Sequence, residues 1–315
     1  MFRRGIAAGT LLACIWAAPS AHAAFPGNDG LITFASFPRT STPYEEVYLI
    51  KPSGAGLTRL TDRAGRRQSS VFPDWDATAK RIAYQRSTPT DSRVLIIKPS
   101  TGHVVGSFGD GSCAGGIGMP SWAPNGTSLA YICFDGASGD YLKTYDLVSG
   151  VRKQITPAGG HDRTPEFSPA GGAIAYAREL SGGASYQVVI AYLNGSGDFD
   201  HEEIVAGDLT TAALDPDWTP DALNLVYACA PAAPPSDQDL CSAPVTAPHT
   251  LVTLVNGPNY EQFPAVSPDG DEIVWDVGPE KGDTELKRRL ISGGPVTTLT
   301  ANRVVDEEAD WGVRP

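Results

Sequence analysis

The chain has 315 residues, with 24 Lys+Arg against 36 Asp+Glu and a formal net charge of −12 at pH 7. So acidic a chain lacks the electrostatic footprint of a nucleic-acid or anionic-lipid binder, because recognising phosphate needs clustered Lys and Arg. Past the first residues, no apolar run approaches the roughly 20 residues that cross a bilayer, so no membrane span is expected.

The chain opens with Arg3 and Arg4, then an apolar stretch, then Ala21-His22-Ala23. A charged start, an apolar centre and an A-x-A site are the layout of a secretory leader. Residues 1–23 therefore read as a signal peptide and 24–315 as one mature domain. Without the leader's two Arg, the balance is 22 basic against 36 acidic residues, or −14. Cys14, preceded by Leu11-Leu12-Ala13, offers lipid anchoring as the alternative to free export. Either route leads to the periplasm or outside the cell, where Cys113, Cys133, Cys229 and Cys241 are expected to pair.

"GNDGLITFAS" (27–36) is the first strand-like segment, and it comes without a partner before it. Five longer segments then follow one pattern: "FPDWDATAKRIAYQR" (72–86), "MPSWAPNGTSLAYIC" (119–133), "TPEFSPAGGAIAYAR" (164–178), "DPDWTPDALNLVYAC" (215–229) and "FPAVSPDGDEIVWDV" (263–277). Each has a Pro, one variable residue, a large apolar residue, a Pro/Asn/Asp/Gly turn and an alternating strand ending in an aromatic. The apolar positions Trp75, Trp122, Phe167, Trp218, Val266 and Trp311 are spaced by 47, 45, 51, 48 and 45 residues. After each hairpin come a third segment, such as "EVYLIKPS" or "RVLIIKPS", and a short fourth, such as "LTRLT" or "VTTLT". A period in the 40s with four short strands per unit predicts propeller blades.

The aromatics of the second strand, Phe34, Tyr84, Tyr131, Tyr176, Tyr227 and Trp275, number six. The first unit lacks its innermost strand, and "ADWG" near the C-terminus is such a strand with nothing after it. The two ends complement each other. The spacing therefore predicts an all-β, six-bladed propeller of four antiparallel strands per blade, closed when 309–312 join the blade that begins at 29–36. The cysteines fit this frame. Cys229 and Cys241 fall on one hairpin, and Cys113 and Cys133 flank the first hairpin of another blade, so the pairs 113–133 and 229–241 are expected.

"PAVSPDGDEIVW", "PSWAPNGTSLAY" and "EVYLIKPSGAGLTRLT" resemble the WD40-like (PD40) repeats of the TolB-type six-bladed propeller, and the resemblance covers the whole of 24–315. It implies the propeller fold. Proteins of this type hold other proteins in the cell envelope; related repeats form the accessory propeller of prolyl-oligopeptidase-like enzymes, and oligogalacturonate lyases use a similar architecture catalytically. The separate α/β domain of TolB and the hydrolase domain of the peptidases have no counterpart in the sequence, so neither activity transfers whole.

A search for chemistry finds no strained G-x-S-x-G elbow, and "HEEIV" (201–205) is not H-E-x-x-H. Of His103, His161, His201 and His249, only His161, in "GGHDRTPEF", precedes an innermost strand and is placed at the channel mouth. "NGSGDFDHEE" (194–203) has the alternating oxygens of a calcium loop but lacks its central Gly and spaced terminal Glu, and it reads as a turn. The variable residue between Pro and the apolar position is Asp74, Ser121, Glu166, Asp217, Ala265 and Asp310 in the six units. Four acids at one equivalent position near the axis, with Glu307 and Glu308 beside the last, form a candidate binding site at the channel mouth. It would suit Ca²⁺, another divalent cation, or a Lys/Arg-bearing segment; the alternative is that the acids only bond local backbone. No metal-ligand set or bound cofactor is otherwise indicated.

The expected function is that of an exported, monomeric, non-catalytic propeller that binds or scaffolds an envelope or extracellular protein. The alternative is a metal-assisted polysaccharide lyase or hydrolase working at the channel mouth.

Overall fold

The protein is described by a computed structural model covering residues 25–37, 44–62, 67–136, 139–180, 185–231, 237–279 and 282–315. The leader at 1–23 and Cys14 lie outside the described residues.

Six four-stranded antiparallel sheets surround one axis. Blade 1 takes its innermost strand from the C-terminus, β24 (Asp306–Val313), followed outward by β1 (Asp29–Ser36), β2 (Glu46–Ile50) and β3 (Thr58–Arg59). Blade 2 is β4 (Ser69–Trp75), β5 (Ile82–Thr88), β6 (Asp91–Ile97) and β7 (Val104–Phe108). Blade 3 is β8 (Ile117–Trp122), β9 (Ser128–Cys133), β10 (Tyr141–Asp146) and β11 (Arg152–Gln154). Blade 4 is β12 (Asp162–Phe167), β13 (Ala173–Glu179), β14 (Tyr186–Leu193) and β15 (Phe199–Ala206). Blade 5 is β16 (Thr211–Trp218), β17 (Asn224–Pro231), β18 (Asp239–Pro244) and β19 (Val252–Val255). Blade 6 is β20 (Tyr260–Val266), β21 (Glu272–Gly278), β22 (Glu285–Leu290) and β23 (Thr297–Thr298). The described residues contain no α-helix.

Ring closure joins the expected segments, with Ile32 opposite Trp311 and Thr33 opposite Asp310. Without β24, the inner edge of β1 would present unpaired backbone to the channel, which a sheet edge tolerates poorly. In blades 2 to 6 the inner strand turns into the second by one repeated reversal, closed by N–H to C=O bonds from Ala79 to Asp76, Gly126 to Ala123, Gly171 to Ser168, Ala222 to Thr219 and Gly270 to Ser267. The fourth residue of each turn has positive φ, which explains the Gly found there in three of the five. A Thr after the fourth strand also recurs: the hydroxyls of Thr61, Thr156 and Thr300 accept the N–H of Val47, Leu142 and Leu286.

The core is distributed between blades rather than gathered in the middle. Each of the six interfaces has its own apolar cluster, built from aromatics of the first and second strands. Trp75 packs with Tyr84 and Val47, Trp218 with Tyr227 and Val188, and Trp311 with Phe34 and Val274. A blade alone would expose two apolar faces to water, so closing the ring is what completes the core. Both expected disulfides are present, Cys113–Cys133 and Cys229–Cys241.

Candidate functional site at the propeller axis

The channel is shaped by one irregularity that recurs in every inner strand. The ladder to the second strand skips between Val71 and Asp74, Gly118 and Ser121, Arg163 and Glu166, Leu214 and Asp217, and Gln262 and Ala265. In the closure strand the skip lies between Glu307 and Asp310. These are β-bulges, and the first extra residue of each, Phe72, Met119, Thr164, Asp215, Phe263 or Glu308, has φ between 44° and 58°. For non-glycine residues this conformation costs on the order of 1 kcal/mol or more each.

The bulges aim these six side chains inward as a collar. Together with the residues two positions on, they enclose an axial cavity of about 60 Å³. The collar mixes apolar and polar groups: Phe72 and Phe263 meet edge to face with ring centroids 6.2 Å apart, and Met119 follows Phe72 in the next blade. Thr164 and Asp215 adjoin in blades 4 and 5, and Glu308 stands in blade 1, between the two phenylalanines in blade order. Beyond the collar lie Asp74, Glu166, Asp217 and Asp310. On their far side a space of only about 10 Å³ is floored by Phe25, Trp75, Trp122 and Trp311. At roughly 10–15 Å³ per water, the upper cavity holds a few waters or the tip of one side chain.

The four expected acids therefore do converge, and each is also wired into the ring. Trp75 N–H donates to Asp310 Oδ2 at 2.6 Å, and Trp122 N–H donates to Asp74 Oδ2 at 2.6 Å. Val266 N–H donates to Asp217 Oδ2 at 2.6 Å, and Phe72 N–H to Glu308 Oε2 at 2.6 Å. Asp310, Asp74, Asp217 and Glu308 thus reach the backbone of the next blade. Ser121 does the same with its hydroxyl, which accepts from Phe167 N–H at 3.0 Å and donates to Glu166 at 2.9 Å. Ala265 offers no such group, and Trp311 N–H turns to its own neighbour Asp310 at 2.7 Å.

Burial pushes all of these carboxyls upward. Asp217 reaches about 8 and Asp310 about 6, in both cases through desolvation offset in part by backbone N–H donors. Desolvation and then the Asp310 charge hold Asp74 well above the usual range; desolvation and then Asp74 do the same for Glu166. Like charges this close favour retained protons, or a cation that lets the acids ionise.

Of the remaining expected residues, Glu308 (9% exposed) lines the collar, and its carboxyl is raised by burial and then by Glu307. Glu307 lies outside the lining, and its carboxyl is pushed to about 7 by burial and by Glu45. His161 is exposed at the start of β12 and is also outside the lining; its carbonyl accepts Glu179 N–H. The neighbouring Asp162 is held by Arg178 Nε at 2.8 Å. His201 stacks on Tyr192, and His249 bridges the Pro244 carbonyl and Glu203. In the stretch that looked like a calcium loop, Asn194 Oδ1 accepts the N–H of Ser196 and Asp198, and Lys153 Nζ sits 2.9 Å from Asp198. Among the described residues, no group of three or more His, Cys, Asp and Glu is arranged to hold a metal ion.

The collar residues Phe72, Met119, Thr164, Asp215 and Phe263 were not anticipated, although each directly precedes the repeated Pro. Strand alternation with a two-residue period sets each of them on the same side as the acid two positions on, and that signal was present in the sequence. Asp276, also unanticipated, is 1% exposed, and its Oδ1 has no hydrogen-bond partner.

No protein-family model matches the chain. Among solved structures, TolB from Acinetobacter baumannii is similar with a TM-score of 0.72 at 18% identity, over 92% of this chain and 68% of that one. A protein designated TolB from Agrobacterium tumefaciens gives 0.67 at 11% identity, over 89% of this chain and 92% of that one. An oligogalacturonate lyase in complex with manganese gives 0.53 at 15% identity, over 89% and 86%. The shared property is the TolB-like propeller fold.

Proposed function

We propose that this TolB-like propeller is an exported, monomeric binding module that holds an envelope or extracellular protein at its channel mouth. The observation that carries the reading is the collar: six strained bulges converge on one opening, three apolar, two acidic and one a threonine, above a ring of buried carboxylates. Backbone strain repeated around an opening is a feature of recognition sites. The guest that suits it is a single Lys or Arg side chain of a partner segment, its stem against Phe72, Phe263 and Met119 and its charge toward Asp215 and Glu308. A divalent cation is the other occupant to be tested, although these acids are not arranged as a metal-binding group. Export rests on the leader-like residues 1–23 and is supported by the two disulfides.

The alternative, metal-assisted cleavage of a polysaccharide, draws on the fold shared with the manganese-bound lyase. Size weighs against it, because a cavity of about 60 Å³ does not admit a sugar ring.

Affinity capture from an envelope extract tests the reading, with the mature chain and a Glu308→Gln/Asp215→Asn variant as paired baits. One stoichiometric protein held by the first and lost from the second supports it. No partner, or equal capture by both baits, overturns it. Melting with millimolar Ca²⁺ separates the occupants: an upward shift in the absence of partner identifies the cation.

A further inference from the structure

Blade 4 differs from its neighbours at the rim. Its outermost strand, β15, has 8 residues, whereas the outermost strands of the other blades have 2, 5, 3, 4 and 2. Propellers normally leave only short, protected edges, because a free strand edge is a row of unpaired N–H and C=O groups. β15 is paired along its length to β14, from Val188 opposite Ala206 to Leu193 opposite Phe199, and it has no strand on its other side among the described residues. Bulges fall near the two ends of the pairing, which leaves Tyr192–Val189 against His201–Ile204 as regular ladder. The strand contains no Pro.

We propose that the free edge of β15 is a second docking site, which takes an extended, Lys/Arg-bearing segment of a partner protein as a fifth strand of blade 4. Addition to a sheet edge draws affinity from main-chain hydrogen bonds and specificity from alternate side chains. Two exposed apolar side chains, Phe199 (39%) and Ile204 (52%), lie opposite Leu193 and Val189 of β14 and so share one face of the sheet, where alternate side chains of an added strand would reach them. The charge is one-sided. Asp198, Asp200, Glu202 and Glu203 fall within six positions. Lys153 and Arg178 engage Asp198 and Glu202, whereas Asp200 meets His201, and Glu203 meets His249 and the Tyr192 hydroxyl, so no Lys or Arg pairs with these two acids among the described residues. A second copy of the chain does not suit this edge, because antiparallel self-pairing would set these acids against one another. A basic segment meets the same acids with opposite sign. The site is separate from the channel mouth, so it stands or falls independently of the reading given above.

The test uses the mature chain and a synthetic peptide of alternating Lys and Val long enough to span β15. On binding, amide exchange across 199–206 is expected to slow by about tenfold or more, while the other outer strands are unchanged. An Asp200→Lys/Ile204→Lys variant changes only exposed side chains and leaves the edge backbone intact; its peptide affinity should fall at least about tenfold, with an unchanged melting temperature confirming its fold. Asp200→Lys alone serves as the second variant and should show the same loss in smaller measure. An alternating Glu/Val peptide should not bind. Three results would overturn the proposal: protection mapping to another strand, equal affinity in the variants, or dimerisation of the chain through 199–206.

Discussion

Trp311→Ala probes ring closure directly. The indole is 1% exposed and packs at the seam between blades 6 and 1 with Phe34, Ile32 and Val274. Its Nε1 has no hydrogen-bond partner, so the loss on truncation is one of packing alone. A Trp buries about 150–250 Å², and at roughly 25 cal/mol per Å² that corresponds to about 4–6 kcal/mol. Measured Trp→Ala truncations in cores cost about 3–5 kcal/mol, so a loss of about 4 kcal/mol is expected. That is a large fraction of a typical total of about 5–15 kcal/mol. It should lower the melting temperature by on the order of 10 °C. Circular dichroism measures the shift, and amide exchange locates it. Exchange should quicken in β1 and β24 for Trp311→Ala, and not for Trp218→Ala, which should loosen the seam between blades 4 and 5 instead. A melting temperature within about 1 °C of the parent, or identical exchange maps for the two variants, would refute closure by the C-terminal strand.

Other expectations concern the same axis and the crosslinks. Carboxyls whose pKa is higher in the folded than in the unfolded chain bind protons more tightly when folded, so their stabilising effect is full below about pH 4 and is lost as pH rises through the folded values. With Asp310 at about 6, Asp215 and Glu261 at about 7 and Asp217 at about 8, the urea midpoint should fall steadily from pH 5 to 9; Asp217→Asn should flatten that slope, and a parent midpoint independent of pH would count against the buried acid ring. At Gly312 an added Cβ would lie 2.7–2.9 Å from the Trp75 ring, so Gly312→Ala should cost about 1–3 kcal/mol in urea unfolding, and a neutral result would place the closure strand farther from blade 2. Replacing Cys229 and Cys241 together by Ser should lower stability by about 2–3 kcal/mol by the loop-closure model, read from the same unfolding curves; unchanged unfolding would show that the crosslink contributes nothing to the fold.

Much of this protein was legible in its sequence because a propeller writes itself as a period. The Pro-x-Trp spacing, the turn residues and the alternating second strands gave six blades. The unpaired segments at the two ends gave the closure of β24 on β1, and the hairpin positions of the cysteines gave both disulfides. The equivalence of Asp74, Glu166, Asp217 and Asp310 was legible for the same reason, since one blade position repeated six times must fall on one ring. Only the tertiary structure decided what those acids do there. Asp74, Asp217 and Asp310 each spend an oxygen atom on the backbone of the next blade, and Glu166 accepts from Ser121 of the preceding one, contacts across 45 or more residues that no local pattern encodes. The collar side chains were legible by alternation, since Phe72 and its counterparts lie two positions before the acids, but their strained positive-φ bulges leave no mark on the residue spacing. His161 and Glu307 were placed near the mouth from sequence, and both stand just outside the lining. Residue order sets how far along a strand a side chain lies; the packing of neighbouring blades sets whether it reaches the axis.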